Sequence, residues 1–177
     1  DDLDRMFPDL YTEEQRVNLP AEEMFRMKKG SDFGWPYCYY DPFQKAKVQG
    51  PEYGGDGKKT TGCENKQNPI YAFPAHSAPN ALLFYTGTQF PGKYRNGAFI
   101  AFHGSWNRTV PTGYKVVWVD TSGTEPKQYN FLSGWLESSA DAWGRPVGLG
   151  FDSKGDLYMS DDKQGKIYKI SYSPENT

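Results

Sequence analysis

The chain has 177 residues, 16% of them aromatic, with 19 glycines, 13 prolines and a formal net charge of −2. This length allows one domain with a substantial core, and the composition favours short strands joined by tight turns over a helical bundle. The charge gives no electrostatic support for binding nucleic acid or an anionic membrane. No apolar run approaches the length of a membrane span, and no signal peptide is visible, so an export signal would lie upstream of Asp1.

Residues 1–69 are predicted to form a region of helix, turn and long loop, in which residues 1–30 are the only helix-like part. Residues 19–23 place a proline and two glutamates where the first turn of a helix favours them, although the apolar residues at 24–27 fit a short strand equally well. Residues 33–37 are typical of a turn. Residues 49–67 are predicted to form an ordered, polar surface loop, which is unusually long for a compact domain unless it is functional or cross-linked.

Two cysteines, Cys38 and Cys63, enclose much of that loop. They are either two free thiols or a disulfide, and a disulfide would hold a segment that lacks the apolar residues to hold itself. In the chain-entropy model such a bond contributes roughly 3 kcal/mol, and it would indicate an oxidising compartment. Neither cysteine has another cysteine or a histidine at ligand spacing, which argues against a zinc site.

A pattern of three strands occurs twice after residue 70. The two copies begin at Pro79 and Pro146, 67 residues apart (146 − 79). This spacing is typical of a β-propeller blade or a related all-β array, with a β-sandwich as the structural alternative. We predict one blade over 70–135 and a final blade over 136–177. The predicted strands are 79–84, 98–102 and 114–119 in the first copy, and 146–151, 156–160 and 166–170 in the second.

Three motifs carry a resemblance to a known family: Gly-Trp-Pro-Tyr at 34–37, His-Gly-Ser-Trp-Asn-Arg at 103–108 and Arg-Pro-Val-Gly at 145–148. With these motifs, the chain resembles the C-terminal part of a glucose/sorbosone dehydrogenase, in particular the sorbosone-dehydrogenase-like branch. The resemblance implies an all-β, six-bladed propeller that binds pyrroloquinoline quinone (PQQ) and Ca²⁺ near its axis. Such proteins oxidise sugars or related alcohols and aldehydes by hydride transfer to the quinone.

The resemblance covers only part of such a propeller. A complete one is more than twice as long, so residues 1–177 would form its last two to three blades, with a short helical segment and the cross-linked loop near the N-terminus. The family's catalytic histidine belongs to an earlier blade, so no catalytic residue is assigned and the chain alone is expected to be inactive. Its expected partners are the remaining N-terminal blades, a sugar or aldehyde substrate and an external electron acceptor, in a periplasmic or secreted setting.

Arg145 is the first cofactor-binding candidate that the resemblance implies. It precedes Pro146 at the start of an inner strand, where the family directs an arginine toward the quinone carboxylates, and a planar guanidinium binds a carboxylate bidentately. Capping of the strand end through backbone carbonyls is the alternative. Trp143 occupies the place where many relatives have a second arginine; this substitution weakens charge pairing, but its ring could stack on PQQ.

The loop 103–108 is expected to face the cofactor from the neighbouring blade. In it, Arg108 is a candidate for a PQQ carboxylate, Trp106 is a candidate for packing on the ring, and His103 and Asn107 are further cofactor-binding candidates. The alternative is a hairpin loop whose tryptophan covers the blade edge. His76 is expected to line the mouth of the pocket or to be a structural histidine.

Glu22 and Glu23 match an acidic pair near the Ca²⁺ in relatives, and paired carboxylates attract a hard cation. They are also ordinary residues for a first helical turn. In the family, backbone carbonyls supply most Ca²⁺ ligands, and sequence does not identify these.

A cofactor-free propeller that binds carbohydrate or acts as a scaffold is the alternative function. The tryptophan at position 143 favours it, and convergence of Arg145 with the loop 106–108 on one pocket would argue against it. Its candidate stacking residues are Trp35, Tyr37, Tyr39, Tyr40, Trp106 and Trp135.

Overall fold

The computed structural model describes residues 7–106, 108–138 and 141–174. The chain divides into two compact units, one ending at His76 and the other beginning at Ser77. Within the described residues, one six-residue α-helix and two 3-10 turns accompany eleven strands, so the all-β prediction is confirmed. No helix among these residues has the length and apolarity needed to cross a membrane.

The helix of the first unit, α1 (Glu13–Asn18), begins upstream of the predicted position. Thr12 caps it: its side chain accepts from the amide of Gln15, whose side chain accepts from the amide of Thr12. This reciprocal capping box satisfies two amides that a helix start leaves unpaired. The short helical segment predicted within residues 1–30 is therefore present, but it does not begin at residues 19–23.

Strand β1 (Glu22–Met24) occupies the place of that predicted helix. It pairs antiparallel with β4 (Tyr71–Phe73), and Met24 is buried in the pair. The alternative prediction of a short strand here is confirmed. Glu22 and Glu23 consequently lie in a sheet and do not stabilise a helix turn.

A hairpin of β2 (Cys38–Asp41) and β3 (Ala46–Gln49) leads into the long loop. The sequence interpretation missed this hairpin. The loop begins with a 3-10 turn (Pro51–Tyr53) and is closed by a disulfide between Cys38 and Cys63, so the disulfide alternative is the one observed.

Loss of this disulfide is expected to destabilise the protein. The bond closes a loop with a sequence separation of 25, for which the chain-entropy model gives about 3 kcal/mol. The double variant Cys38→Ser/Cys63→Ser should lower the free energy of unfolding by about that amount in urea denaturation. Equal stability of the variant and the oxidised wild-type protein would contradict this account.

The second unit contains two antiparallel meanders. The strands are β5 (Pro79–Phe84), β6 (Ala98–Phe102), β7 (Lys115–Asp120), β8 (Lys127–Leu132), β9 (Pro146–Phe151), β10 (Leu157–Asp161) and β11 (Lys166–Ile170). The strand orders are β5-β6-β7-β8 and β9-β10-β11, and both three-strand patterns of the prediction are present, with β8 as an unpredicted addition.

An irregularity recurs at the first residue of each meander. Pro79 pairs with Phe102 and Pro146 pairs with Asp161, and the register shifts next to both pairs. Proline cannot donate to the sheet ladder, and such bulges redirect the chain at the end of a strand.

The core of this unit is aromatic. Strand β6 is buried along its whole length, and the Phe99 ring lies 4.7 Å from Phe131 and 6.2 Å from Tyr85 in edge-to-face contacts. Trp135 is packed into the same core with 6% of its surface exposed. Such rings contribute large apolar burial and favour one packing arrangement, which makes the strand ends fixed anchor points.

Acid is expected to destabilise this unit through Asp156. Its buried carboxylate lies 2.7 Å from the ammonium of Lys169, and this hydrogen bond holds the Asp156 pKa below its ordinary value of 3.8. A lowered pKa contributes stability above the unfolded-state pKa, and that stability is lost as the pH falls through the folded-state pKa. The destabilisation caused by Asp156→Asn should shrink between pH 7 and pH 3 in urea denaturation, whereas a constant difference would contradict this assignment.

Candidate functional site

The side chain of Arg145 contacts the loop that follows β6. Its Nη1 donates to the carbonyl of Gly104 at 3.0 Å and lies 3.5 Å from Nδ1 of His103, while Nη2 donates to the Tyr114 hydroxyl at 3.3 Å. The guanidinium carbon lies 4.9 Å from the centre of the Tyr114 ring. We use the name Arg145 corner for the cluster of Arg145, His103, Gly104, Tyr114 and Asp162.

Asp162 completes the corner through His103. The imidazole Nε2 lies 3.0 and 3.1 Å from the two carboxylate oxygens of Asp162. Because a guanidinium can only donate, His103 Nδ1 is assigned as the acceptor toward Arg145 and Nε2 as the donor toward Asp162. This arrangement connects the acidic side chain after β10 with the arginine before β9.

Backbone contacts hold the corner at the strand ends. The carboxylate of Asp161 accepts from the amides of Arg145 and Gln164, both at 3.0 Å. The amide of His103 donates to the carbonyl of Ala78, and the amide of Gly104 donates to the carbonyl of Ser77. Arg145 and His103 are therefore fixed at both backbone and side chain.

Lys115 and Arg108 are cations close in sequence to residues of the Arg145 corner, and their surroundings differ. Lys115, the first residue of β7, is half-buried, and desolvation lowers the pKa of its ammonium. Within the described ranges its ammonium makes no hydrogen bond or ion pair, although Lys115 pairs with Phe102 in the sheet. Arg108, whose pKa desolvation also lowers, donates from Nε to the carbonyl of Val110 at 3.1 Å. Sequence reasoning missed Lys115; a lysine directly before four consecutive apolar residues was the available signal.

The tryptophans predicted to pack on the cofactor lie outside the Arg145 corner. Trp106 has 81% of its surface exposed. Trp143 is 37% exposed, and its indole donates to the carbonyl of Gly134 at 2.8 Å. The predicted contacts of both with PQQ stay predictions, and Asn107 lies outside the described residues.

His76 belongs to the first unit. It is almost fully buried, has a positive φ of 64°, and its Nε2 lies 3.4 Å from the carbonyl of Arg16. Its role at a pocket mouth stays a prediction.

The carboxylate of Glu23, a predicted metal ligand, has local partners. One oxygen lies 2.5 Å from the buried ammonium of Lys47, and the other accepts from the amide of Tyr40 at 3.0 Å. Its neighbour Glu22 is half-buried in β1. Over the residues that the structure describes, no three histidine, cysteine or acidic side chains gather as a metal site would require. A Ca²⁺ role for this pair stays a prediction.

The stacking residues of the alternative function are partly excluded. Trp135 is buried in the aromatic core and presents no ring face to a sugar. Trp35, by contrast, is 88% exposed, and Tyr37 beside it is also exposed.

A family model and a curated relative both match most of this chain. A family model described as TrAA12-like matches residues 12–173. A pyrroloquinoline quinone-dependent pyranose dehydrogenase of Coprinopsis cinerea is 30% identical over 194 residues, covering 87% of this chain and 25% of that protein.

Solved structures of the same class also match. The calcium structure of a Trichoderma reesei carbohydrate-active enzyme of family AA12 aligns with a TM-score of 0.66 and 28% identity, covering 85% of this chain and 42% of that one. The holo form of the pyranose dehydrogenase PQQ domain from Coprinopsis cinerea aligns with a TM-score of 0.63 and 26% identity, covering 88% and 45%. The chain thus spans less than half the length of these relatives.

Proposed function

The chain belongs to the TrAA12-like family, and from that premise we propose that it forms the C-terminal blades of a six-bladed, PQQ- and Ca²⁺-dependent dehydrogenase. The proposed substrates are sugars or related alcohols and aldehydes. The Coprinopsis cinerea relative is named a PQQ-dependent pyranose dehydrogenase, which supports this class of reaction.

The observation that carries the proposal is the guanidinium of Arg145, held in place within the Arg145 corner, together with a second cation, the half-buried ammonium of Lys115 next to Tyr114 in the sequence. PQQ carries several carboxylates. A guanidinium held by its neighbours offers a planar fork to one of them, and a half-buried ammonium that has no counter-ion among the described residues is stabilised by pairing with another. These residues therefore fit the charge of the cofactor.

The residues of the chain would bind and orient. Arg145 would pair with a carboxylate, Lys115 would act as a point charge, and Tyr114 with the Gly104 carbonyl would keep the guanidinium in place. When bound, PQQ supplies the electron-accepting quinone, and the catalytic base would come from an earlier blade. Backbone carbonyls are the main proposed ligands of Ca²⁺, with Glu22 and Glu23 as the proposed carboxylate ligands.

The remaining blades, an external electron acceptor and an oxidising compartment complete the proposal. The disulfide between Cys38 and Cys63 supports a periplasmic or secreted location, because such bonds persist where thiols are not kept reduced.

The proposal is tested by dye-coupled oxidation of aldoses with the intact protein. Reconstitution with PQQ and Ca²⁺ should give sugar-dependent reduction of the dye, and omission of PQQ should abolish it. Sugar binding with unchanged affinity in the absence of PQQ, and no dye reduction, would support the carbohydrate-binding alternative. The exposed ring of Trp35 is the observation that favours this alternative.

Lys115→Gln is expected to weaken PQQ binding about tenfold, because one charge-assisted contact is lost. The loss should be smaller at high salt, where screening already weakens the contact. Fluorescence titration with PQQ measures both effects. Lys127→Gln, an exposed position on β8, is the matched control and should bind like the wild-type protein. Equal affinities of both variants would remove Lys115 from the site.

A further inference from the structure

The backbone around the Arg145 corner has an unusual conformation. Four residues there have positive φ angles: Ala78 at 54°, Gly104 at 104°, Gly113 at 87° and Tyr114 at 53°. This region is costly for a residue with a side chain, and such conformations persist where surrounding contacts require them, often at functional sites. Two of these four residues, Ala78 and Tyr114, are not glycines.

The positive-φ turns pack backbone against backbone. A Cβ placed on Gly113 would lie 2.6 Å from the Cα of Gly104 and 2.7 Å from the carbonyl oxygen of Ser77. No side chain fits between them. The approach of the turns brings the chain before β7 against the loop after β6, and it places Tyr114 beneath that loop.

Tyr114 is the side chain on which these contacts converge. Its ring is buried, and a Cβ on Gly104 would lie 2.6 Å from ring atoms, so the loop rests directly on the ring. Its hydroxyl donates to the carbonyl of Ser105 and accepts from Nη2 of Arg145. The guanidinium also lies against the ring, in cation–π contact.

We propose that Tyr114 is a positioning residue that fixes the guanidinium of Arg145 for an anionic ligand. The phenol has one proton, which it donates to Ser105, so its lone pair faces Arg145 and can only accept from it. Arg145 is thereby held in one orientation before the ligand arrives, which removes an ordering cost from binding. The identity of the ligand as PQQ rests on the proposed function, whereas the restraint on Arg145 does not.

The restraint is measured without cofactor. Phenylglyoxal reacts with arginine guanidinium groups, and peptide mapping by mass spectrometry gives the rate at each arginine. Tyr114→Phe keeps the ring and removes the hydroxyl, so labelling of Arg145 should become several-fold faster, while labelling of the exposed Arg95 stays constant. An unchanged rate at Arg145 would overturn the proposal.

Tyr158→Phe is the matched control for this measurement. Tyr158 also lies under a cation, with the Lys169 ammonium 5.8 Å from its ring centre, and its hydroxyl donates to Asp152 at 3.4 Å. This substitution therefore removes a similar hydroxyl elsewhere in the unit. A similar acceleration at Arg145 in the control would show general loosening of the unit and would also overturn the proposal.

A double-mutant cycle then tests whether Tyr114 affects PQQ binding through Arg145. Tyr114→Phe should weaken PQQ binding about tenfold in the wild-type background, as expected for one hydrogen bond to a charged group. In the Arg145→Lys background it should add little further loss, because its effect passes through the guanidinium. Additive losses would contradict action through Arg145. Faster labelling without any PQQ binding by the wild-type protein would uphold the restraint and refute the proposed function.

Discussion

Arg145→Ala is expected to weaken PQQ binding by about 100-fold, the largest effect on binding that the structure predicts. The substitution removes a bidentate, charge-assisted contact to a carboxylate, which contributes about 3 kcal/mol. Loss of the hydrogen bond to the Gly104 carbonyl should cost the fold only about 1 kcal/mol. Titration with PQQ and urea denaturation of the same variant separate the two effects.

Two further variants define what Arg145 contributes. Arg145→Lys keeps the charge and loses the planar fork, so its PQQ affinity should lie between those of the wild type and the alanine variant. Arg95→Ala removes an exposed arginine that donates to the Gly87 carbonyl and should leave PQQ affinity unchanged. A folded Arg145→Ala variant with wild-type affinity would remove the assignment.

Gly104→Ala is expected to cause the largest combined loss of stability and binding. The residue has a φ of 104°, and the added Cβ would lie 2.6 Å from three atoms of the buried Tyr114 ring. Backbone strain alone costs about 1–3 kcal/mol, and displacement of the ring adds the cost of overpacking, typically another 1–3 kcal/mol. The displaced ring should also release Arg145, so PQQ affinity should fall together with thermal stability.

Gly134→Ala is the matched control for that variant. Gly134 has a similar φ of 116°, but nothing lies within 4 Å of the position that its Cβ would occupy. It should show the backbone cost without the steric cost and without loss of PQQ affinity. Equal destabilisation by the two substitutions in calorimetry would mean that the Tyr114 ring does not support the loop.

The sheets of the second unit were predictable because their sequence signals are local. The continuous apolar run of β6 requires burial on both faces, and the proline starts of β5 and β9 mark the repeat. Strand β8 was missed because its sequence is largely polar and half-exposed, so only its pairing with β7 reveals it.

The first unit was less predictable, because two local signals competed there. A proline followed by two glutamates suits a helix start, but the capping box at Thr12 begins the helix earlier. Residues 22–24 then pair with a strand almost 50 residues further along the chain, a contact that local sequence does not indicate. Tertiary pairing of this kind overrides local propensity.

Part of the Arg145 corner was visible in the sequence. Arg145 and His103 stand in motifs that could be read directly, and the structure brings them together. Tyr114 was missed because it lies 31 residues before Arg145 and is typical of a core aromatic at a strand start. Asp162 was missed because an acidic residue after a strand is usually part of a turn.

Equilibrium titration of the intact protein with PQQ in the presence of Ca²⁺, at low and at high salt, decides whether Arg145 belongs to a PQQ site. We expect saturable, stoichiometric binding that weakens with salt and is largely lost in Arg145→Ala. Absence of binding by a folded wild-type protein, or binding that ignores both salt and the substitution, would contradict this expectation.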